Sequence, residues 1–183
     1  MIRNFFLYVF ELIKMVVIAL VIIIPIRYFL IQPFYVKGAS MEPNFFDHEY
    51  LIIDELSYRL GDPKRGDVVV FRYPNDPKEY FLKRIIGLPG ERVKVSEGEI
   101  VVYNDAHPEG FVIKESYIPS DVTTEGEKIM SLSNNQYYVM GDNRPNSFDS
   151  RRFGPVDENL IVGRTWLRGW PLNRIQIFET PTY

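Results

Sequence analysis

The chain contains no cysteine and only two histidines, His48 and His107, among its 183 residues. The missing cysteines exclude disulfides, thiol nucleophiles and cysteine metal ligands, and two isolated histidines make a poor zinc site. We therefore expect no metal and no cofactor. Charges of the two signs nearly balance, with 24 acidic side chains against 21 lysines and arginines. This lack of a basic excess argues against a nucleic-acid partner.

One long apolar segment near the start of the chain predicts a membrane anchor. From Phe5 to Ile31 almost all side chains are apolar, and a helix of that length extends about 40 Å, enough to cross a bilayer with tilt. A cleaved signal peptide and a buried helix of a soluble domain are the alternatives. The aromatic and basic side chains of residues 27–35 suit a cleavage region poorly. We favour a single retained transmembrane helix within residues 1–33.

Beyond residue 34 the pattern changes to short β-rich runs separated by turn residues. Six runs predict strands, namely 50–53, 68–71, 80–86, 93–95, 100–103 and 137–140. Residues 106–135 are polar and poorly patterned, and no stretch shows sustained helical periodicity. We predict a mainly β, antiparallel fold for residues 34–183, in which about residues 92–136 form a second, variable lobe.

A serine follows the apolar segment in the stretch Gly38-Ala39-Ser40-Met41-Glu42-Pro43. A serine hydroxyl becomes a nucleophile only when a base takes its proton. His48 lies among charged neighbours and His107 lies beside a proline in a loop, so each is more simply explained as a solvated side chain.

Lys83 is the better base in this pattern, because a strand over residues 80–86 places Phe81 and Ile85 beside it on one face. Apolar neighbours lower the pKa of a lysine, which in water is about 10.4. A lysine in a strand is more often simply solvated. The segment Gly141–Pro155 favours a catalytic role for Lys83, because it contains carboxylates, guanidiniums and hydroxyls that can hold a serine and a lysine in register.

Four blocks of this sequence, in order and behind an apolar N-terminal segment, resemble bacterial type I signal peptidases. The blocks are residues 38–43, 65–71, 83–91 and 141–151. These peptidases are membrane-anchored Ser/Lys proteases that remove signal peptides from exported preproteins, and the pattern is most similar to the single-anchor Gram-positive type. The resemblance implies an antiparallel β catalytic core with a smaller variable lobe.

The resemblance also implies roles for particular residues. Ser40 would be the nucleophile, Lys83 the general base, and Ser147 would hydrogen-bond and orient the lysine amine. Met41 would line the substrate cleft. Two supporting salt bridges are implied, those of Asp149 with Arg151 and of Asp142 with Arg84.

The oxyanion hole is the least complete part of the pattern. The Ser40 backbone N–H would supply one donor, but Gly38 stands where many Gram-negative members have a serine that supplies the second. Either the enzyme works with one donor, or a backbone N–H or an ordered water near Gly38 fills the second place. An alternative reason for the glycine is that the chain there adopts a positive φ angle. Two other departures, Asn44 in place of a usual threonine and Pro145 in place of a usual acid, are expected to leave activity intact.

As substrates, the resemblance implies preproteins with small side chains, alanine above all, one and three residues before the cut. The substrate would lie as an added strand along an open sheet edge. We expect a monomer in the bacterial cell membrane with its catalytic domain on the extracytoplasmic side. Aromatic side chains could make a second contact with the lipid bilayer, or they could be core or cap residues. They are Phe45, Phe46, Trp166 and Trp170.

Two other functions compete with this interpretation. A self-cleaving Ser/Lys protease related to the SOS-response repressors would carry a helical DNA-binding module, which the sequence does not supply. A catalytically inactive, membrane-tethered scaffold is disfavoured because Ser40, Lys83 and Ser147 are all present.

Overall fold

A computed structural model describes residues 2–29 and 32–181 of the chain. Helices lie at Ile2–Phe29 (α1), Ser57–Leu60 (α2) and Ser150–Phe153 (α3). The strands are Gln32–Tyr35 (β1), Tyr50–Asp54 (β2), Val68–Tyr73 (β3), Asp76–Gly87 (β4), Arg92–Ser96 (β5), Glu99–Asn104 (β6), His107–Val112 (β7), Lys128–Ser131 (β8), Gln136–Met140 (β9), Val156–Asp157 (β10), Ile161–Trp170 (β11) and Gln176–Ile177 (β12).

Helix α1 contains the apolar segment. It has 28 residues, a length of about 42 Å at 1.5 Å per residue. Its Leu7–Ile24 window has a mean hydropathy of 2.7, and none of this window is buried within the protein. Among the described residues it is the one helix that is long and apolar enough to cross a membrane. The predicted helix ended at Ile31, and residues 30 and 31 lie outside the described ranges.

The larger sheet is antiparallel and holds eight strands in the order β1-β2-β11-β3-β4-β9-β10, with β12 paired to β11. Strand β3 reads as a continuous apolar run because both of its faces are covered. Val68 and Val70 pack into one apolar cluster, while Val69 and Phe71 pack into another. Strand β1 stands at one end of this order and pairs only with β2 among the described strands.

The smaller sheet has the order β7-β6-β5-β8 and is also antiparallel. Its inward side chains, including Val93 and Val102, share one apolar cluster with Ile86, Tyr138 and Met140 of the larger sheet. The two sheets therefore pack against a common core.

The predicted mainly β, antiparallel fold is confirmed, and all six predicted strands are present. Strand β11 was not predicted, yet it lies between β2 and β3 in the larger sheet. Glycines and register shifts interrupt its alternation. Strands β7 and β8 were also missed. They form the edges of the smaller sheet and are largely exposed, so their sequences show no alternation of apolar and polar residues.

The aromatic residues divide between core and surface. Phe45 is 1% exposed and its ring centroid lies 4.6 Å from that of Phe178, so a membrane contact by Phe45 is wrong. Trp166 and Trp170 are 40% and 51% exposed, so the alternative of core packing is wrong for them. Phe46 is partly exposed, with the Arg174 guanidinium 4.3 Å from its ring centroid.

Candidate active site

Ser40 and Lys83 meet in space although they lie 43 positions apart in the chain: Ser40 Oγ and Lys83 Nζ are 2.8 Å from each other. Ser40 belongs to a tight turn after β1, in which the Phe45 N–H donates to the Met41 carbonyl at 2.9 Å. Met41 is 1% exposed and packs into the core, which anchors the turn. Lys83 comes from the middle of β4, opposite Val69 of β3.

The Lys83 amine is nearly sequestered from water. The residue is 4% exposed, its Nζ lies 5.4 Å from the centroid of the Phe81 ring, and Nζ also donates to the Leu82 carbonyl at 2.9 Å. Burial lowers the pKa of Lys83 to about 8, although Asp149 and Asp142 act in the opposite direction. A neutral amine is therefore accessible near physiological pH.

A cleft of about 320 Å³ opens beside this pair. Its walls are mainly apolar, as expected of a site that takes a peptide side chain. Besides Ser40 and Lys83 the lining includes Phe34, Val36, Met41, Leu51, Val70 and Leu82. Met41 thus lies in the cleft, as predicted. The cleft runs along β1, the strand whose outer edge pairs with no described strand.

Both predicted salt bridges are present. Arg84 Nε and Nη2 donate to the Asp142 carboxylate at 2.8 and 2.6 Å. Arg151 Nε and Nη2 donate to the Asp149 carboxylate at 2.9 and 2.8 Å. Burial opposes ionisation of Asp149, but its hydrogen bonds to Arg151 outweigh that effect and hold the pKa of this carboxyl below its usual value.

Comparison with known proteins identifies the family of this chain. The sequence profile of the family described as signal peptidase, peptidase S26, matches residues 9–170. The chain belongs to the signal peptidase family. It is 40% identical to a probable signal peptidase I-2 of Synechocystis sp., over 90% of this chain and 75% of the relative. It is 32% identical to signal peptidase IB of Staphylococcus aureus (strain MRSA252), over 93% of this chain and 94% of the relative.

A solved structure gives a further match. The crystal structure of a signal peptidase I from Enterococcus faecalis V583 aligns with 57% of this chain and 97% of its own, with 27% identity and a TM-score of 0.47.

One residue of this signal peptidase's site was not singled out by sequence reasoning. Asn143 donates from its backbone N–H to the Ser40 carbonyl at 3.1 Å and from Nδ2 to the Ala39 carbonyl at 2.9 Å. It ties the 141–151 turn to the nucleophile turn, defined here as residues 38–45. Asn143 stands in the fourth quoted block, residues 141–151, but nothing in its spacing names Ser40 as its partner.

Ser147 does not make the hydrogen bond predicted for it. Its side chain is buried, and its Oγ makes no hydrogen bond to Lys83. Its hydroxyl instead helps to lower the pKa of the neighbouring Asp149 carboxyl. Lys83 Nζ bonds instead to Ser40 Oγ and to the carbonyl of Leu82, the residue that precedes it in β4.

The backbone of Gly38 has a φ angle of 89°, which confirms the alternative that glycine is needed there for its conformation. The Gly38 N–H donates to Asp47 Oδ1 at 3.0 Å, so it is engaged within the loop. The Ser40 N–H makes no hydrogen bond within the described part of the chain.

The two histidines lie in solvent. The side chain of His48 is 74% exposed and pairs with Asp47 at 3.0 Å, while that of His107 is 52% exposed and lies 3.4 Å from Glu109. Across the described ranges no cluster of three or more histidine or acidic side chains is arranged to hold a metal ion.

Proposed function

We propose that Ser40 and Lys83 are the catalytic dyad of this serine endopeptidase, which removes signal peptides from exported preproteins. The observation that carries the proposal is the 2.8 Å separation of Ser40 Oγ from the amine of Lys83, a residue that is 4% exposed. A serine hydroxyl paired with a base in a peptide-sized cleft is the arrangement that acyl transfer requires.

In the proposed reaction Ser40 Oγ attacks the carbonyl carbon of the scissile bond while the neutral Lys83 amine takes the hydroxyl proton. Lys83 then gives that proton to the departing amine nitrogen, which leaves an ester on Ser40. Water attacks the ester as Lys83 accepts a proton from it. The cycle ends when Lys83 returns the proton to Ser40 Oγ and the carboxylic acid product departs.

The oxyanion would be held by the Ser40 backbone N–H, which has no acceptor within the described residues. The Gly38 N–H does not serve as the second donor in this scheme because Asp47 accepts its hydrogen bond.

The supporting salt bridges have a positional role in this scheme. The pair of Arg84 and Asp142 fixes β4 next to Lys83, and the pair of Arg151 and Asp149 fixes the turn that carries Ser147. Each is buried enough that losing one partner would leave an uncompensated charge.

The substrate segment would lie extended along the outer edge of β1 and form main-chain hydrogen bonds with it. Its side chains of one face would then enter the apolar cleft of about 320 Å³ next to Ser40. The preference for small groups such as alanine is carried over from the family resemblance.

Residues 1–33 would anchor the chain in the bacterial membrane by a single span, and residues 34–183 would form the peptidase domain on the extracytoplasmic side, with about residues 92–136 as its variable lobe. The exposed rings of Trp166 and Trp170 would rest at the lipid headgroups. A monomer suffices, because one chain supplies the dyad and the cleft.

The test is cleavage of a preprotein with an Ala-x-Ala site by the full chain reconstituted in vesicles. Ser40→Ala and Lys83→Ala should each abolish cleavage while the protein stays folded and membrane-bound. His48→Ala is the matched control and should retain activity. Substantial cleavage by Lys83→Ala, together with loss in His48→Ala, would assign the base to His48 and overturn the dyad.

A further inference from the structure

The segment Glu115–Tyr117 connects the smaller sheet to the active site. It lies between β7 and β8, in the stretch that the sequence left unpatterned, and we call it the 115–117 segment. Its residues contact three groups that support the dyad: Arg144 of the 141–151 turn, Arg84 beside Lys83, and Asn44 of the nucleophile turn.

The first contact is an ion pair with a deeply buried guanidinium. Arg144 is 1% exposed, and its Nη1 and Nη2 both donate to the Glu115 carboxylate. Nη1 also donates to Thr124 Oγ1 at 2.8 Å. A charge buried to this extent needs a counter-ion, and the Glu115 carboxylate of the 115–117 segment supplies it.

Arg144 also fixes the shape of the 141–151 turn, which is hydrogen-bonded to Ser40. Its Nε donates to the Gly141 carbonyl at 2.9 Å, and its own carbonyl accepts a hydrogen bond from Arg151 Nη2 at 2.7 Å. The neighbouring residue, Asn143, holds the Ser40 carbonyl. A displacement of Arg144 would therefore be transmitted to Ser40 through one residue.

Tyr117 provides the other two contacts. Its ring centroid lies 3.8 Å from the Arg84 guanidinium carbon, and its carbonyl accepts from Asn44 Nδ2 at 2.9 Å. The same Nδ2 donates to Asp142 at 2.8 Å. The Tyr117 hydroxyl donates to Glu115 Oε1 at 2.6 Å, so the segment acts as one connected unit.

We propose that Glu115 is a positioning residue for the peptidase reaction, which holds Ser40 and Lys83 in register through Arg144 and the 141–151 turn. The proposal rests on the dyad described above. Without the Glu115 carboxylate, Arg144 is left as an unpaired buried charge, and the turn must move to solvate it. Small displacements of reacting groups are costly, since about 1 Å can lower a rate by about 10²-fold.

The test compares Glu115→Ala with Glu109→Ala in the reconstituted full chain. Glu109 is a matched control, because it lies in the same lobe with a side chain that is 69% exposed. Glu115→Ala should lower kcat by about 10- to 100-fold with KM within about twofold, and Glu109→Ala should leave both unchanged. Glu115→Gln, which keeps the shape but not the charge, should fall between them.

The pH profile separates positioning from mere stability. If the turn moves, the Lys83 amine gains water while Asp142 and Asp149 still favour its charged form. The apparent pKa of kcat/KM should then rise above about 8. A variant that only unfolds more readily would lose active enzyme but keep the profile of the parent.

A kcat and a pH profile in Glu115→Ala equal to those of Glu109→Ala would overturn the proposal. If Glu115→Ala does not fold, Glu115→Gln and Tyr117→Phe decide in its place, and parent-like kinetics in both would overturn it equally. Ser40→Ala and Lys83→Ala are assayed in parallel. Activity remaining in those two variants would fault the dyad rather than the role of Glu115.

Discussion

The Lys83 amine has lost almost all contact with water, and that loss sets its pKa, since the neighbouring carboxylates act in the opposite direction. In the unfolded chain the same amine would titrate at about 10.4. Between about pH 8 and about 10.4, Lys83 is therefore protonated in the unfolded chain and mostly neutral in the folded chain. Raising the pH through this window increases the free energy of unfolding. The neutral amine that the reaction needs becomes the dominant form as the pH passes about 8.

The first prediction follows from this titration. The ratio kcat/KM should rise with pH through an apparent pKa of about 8. Phe81→Ser should move that pKa upward, because the ring 5.4 Å from Nζ excludes water. Phe46→Ser, which alters an aromatic ring outside the cleft lining, should leave it in place. A parent profile that climbs only above about pH 10 would show an ordinary solvated lysine.

The second prediction concerns Gly38. A Cβ there would meet open space, but the φ angle of 89° is one that side chains with a Cβ resist, at a cost of about 1–2 kcal/mol. Gly38→Ser should therefore lower the melting temperature and should not raise kcat. Gly38→Asn should be tolerated better, because asparagine accepts positive φ more readily.

The measurements are thermal unfolding and steady-state cleavage of the same substrate. An increase in kcat for Gly38→Ser, with KM unchanged, would mean that the new hydroxyl completes the oxyanion hole in spite of the backbone strain.

Strand β11 carries much of the architecture, although its sequence predicts it weakly. It pairs with β2 on one side and β3 on the other, and β12 adds to it near its end. Gly163 lies where β11 passes close to the backbone of β2. A Cβ at this position would lie 2.6 Å from the Asp54 carbonyl oxygen, a distance that no side chain can accept without movement of the backbone.

The third prediction uses the two glycines of this strand as a matched pair. Gly163→Ala should lower the free energy of unfolding by about 1–3 kcal/mol through overpacking. Gly169→Ala places its Cβ 4.0 Å from the Tyr50 carbonyl, an ordinary contact, and should cost less. Chemical denaturation of both variants checks the difference. Equal stabilities would mean that β2 and β11 separate easily at Gly163.

The molecule as a whole joins an apolar helix to two sheets that share a core, and its exposed apolar side chains lie on more than that helix. Trp166, Trp170, Leu172 and Ile175 are all exposed along β11 and the turn after it. Exposed rings and aliphatic groups of this kind suit an interface between water and lipid.

The fourth prediction takes advantage of the chain having only two tryptophans. On reconstitution into vesicles the intrinsic emission should shift to shorter wavelength, because both rings would leave water for the headgroup region. Single substitutions Trp166→Phe and Trp170→Phe assign the shift to each ring. If the emission stays at the wavelength of tryptophan exposed to water, the proposed lipid contact is wrong.

The sequence alone predicted the apolar helix, six strands and the pairing of Ser40 with Lys83 that the structure brings together, because each depends on local pattern or on motifs. A long apolar run specifies its own helix, and alternation within 80–86 placed Phe81 beside Lys83. It could not predict β11, whose pairing with β2 and β3 depends on partners distant in the chain. The family resemblance also implied a hydrogen bond between Ser147 and Lys83 that the structure does not form.

Tertiary structure decided what depends on distant neighbours. The pKa of Lys83 follows from burial, which no local pattern measures. The φ angle of Gly38 follows from the loop that Asp47 closes. The counter-ion of Arg144 is Glu115, 29 positions away in an unpatterned stretch, and no spacing rule connects them. A sequence lists the charges that need partners, but only the folded chain determines which atoms lie close enough to supply them, since contact energies act over a few ångströms of space.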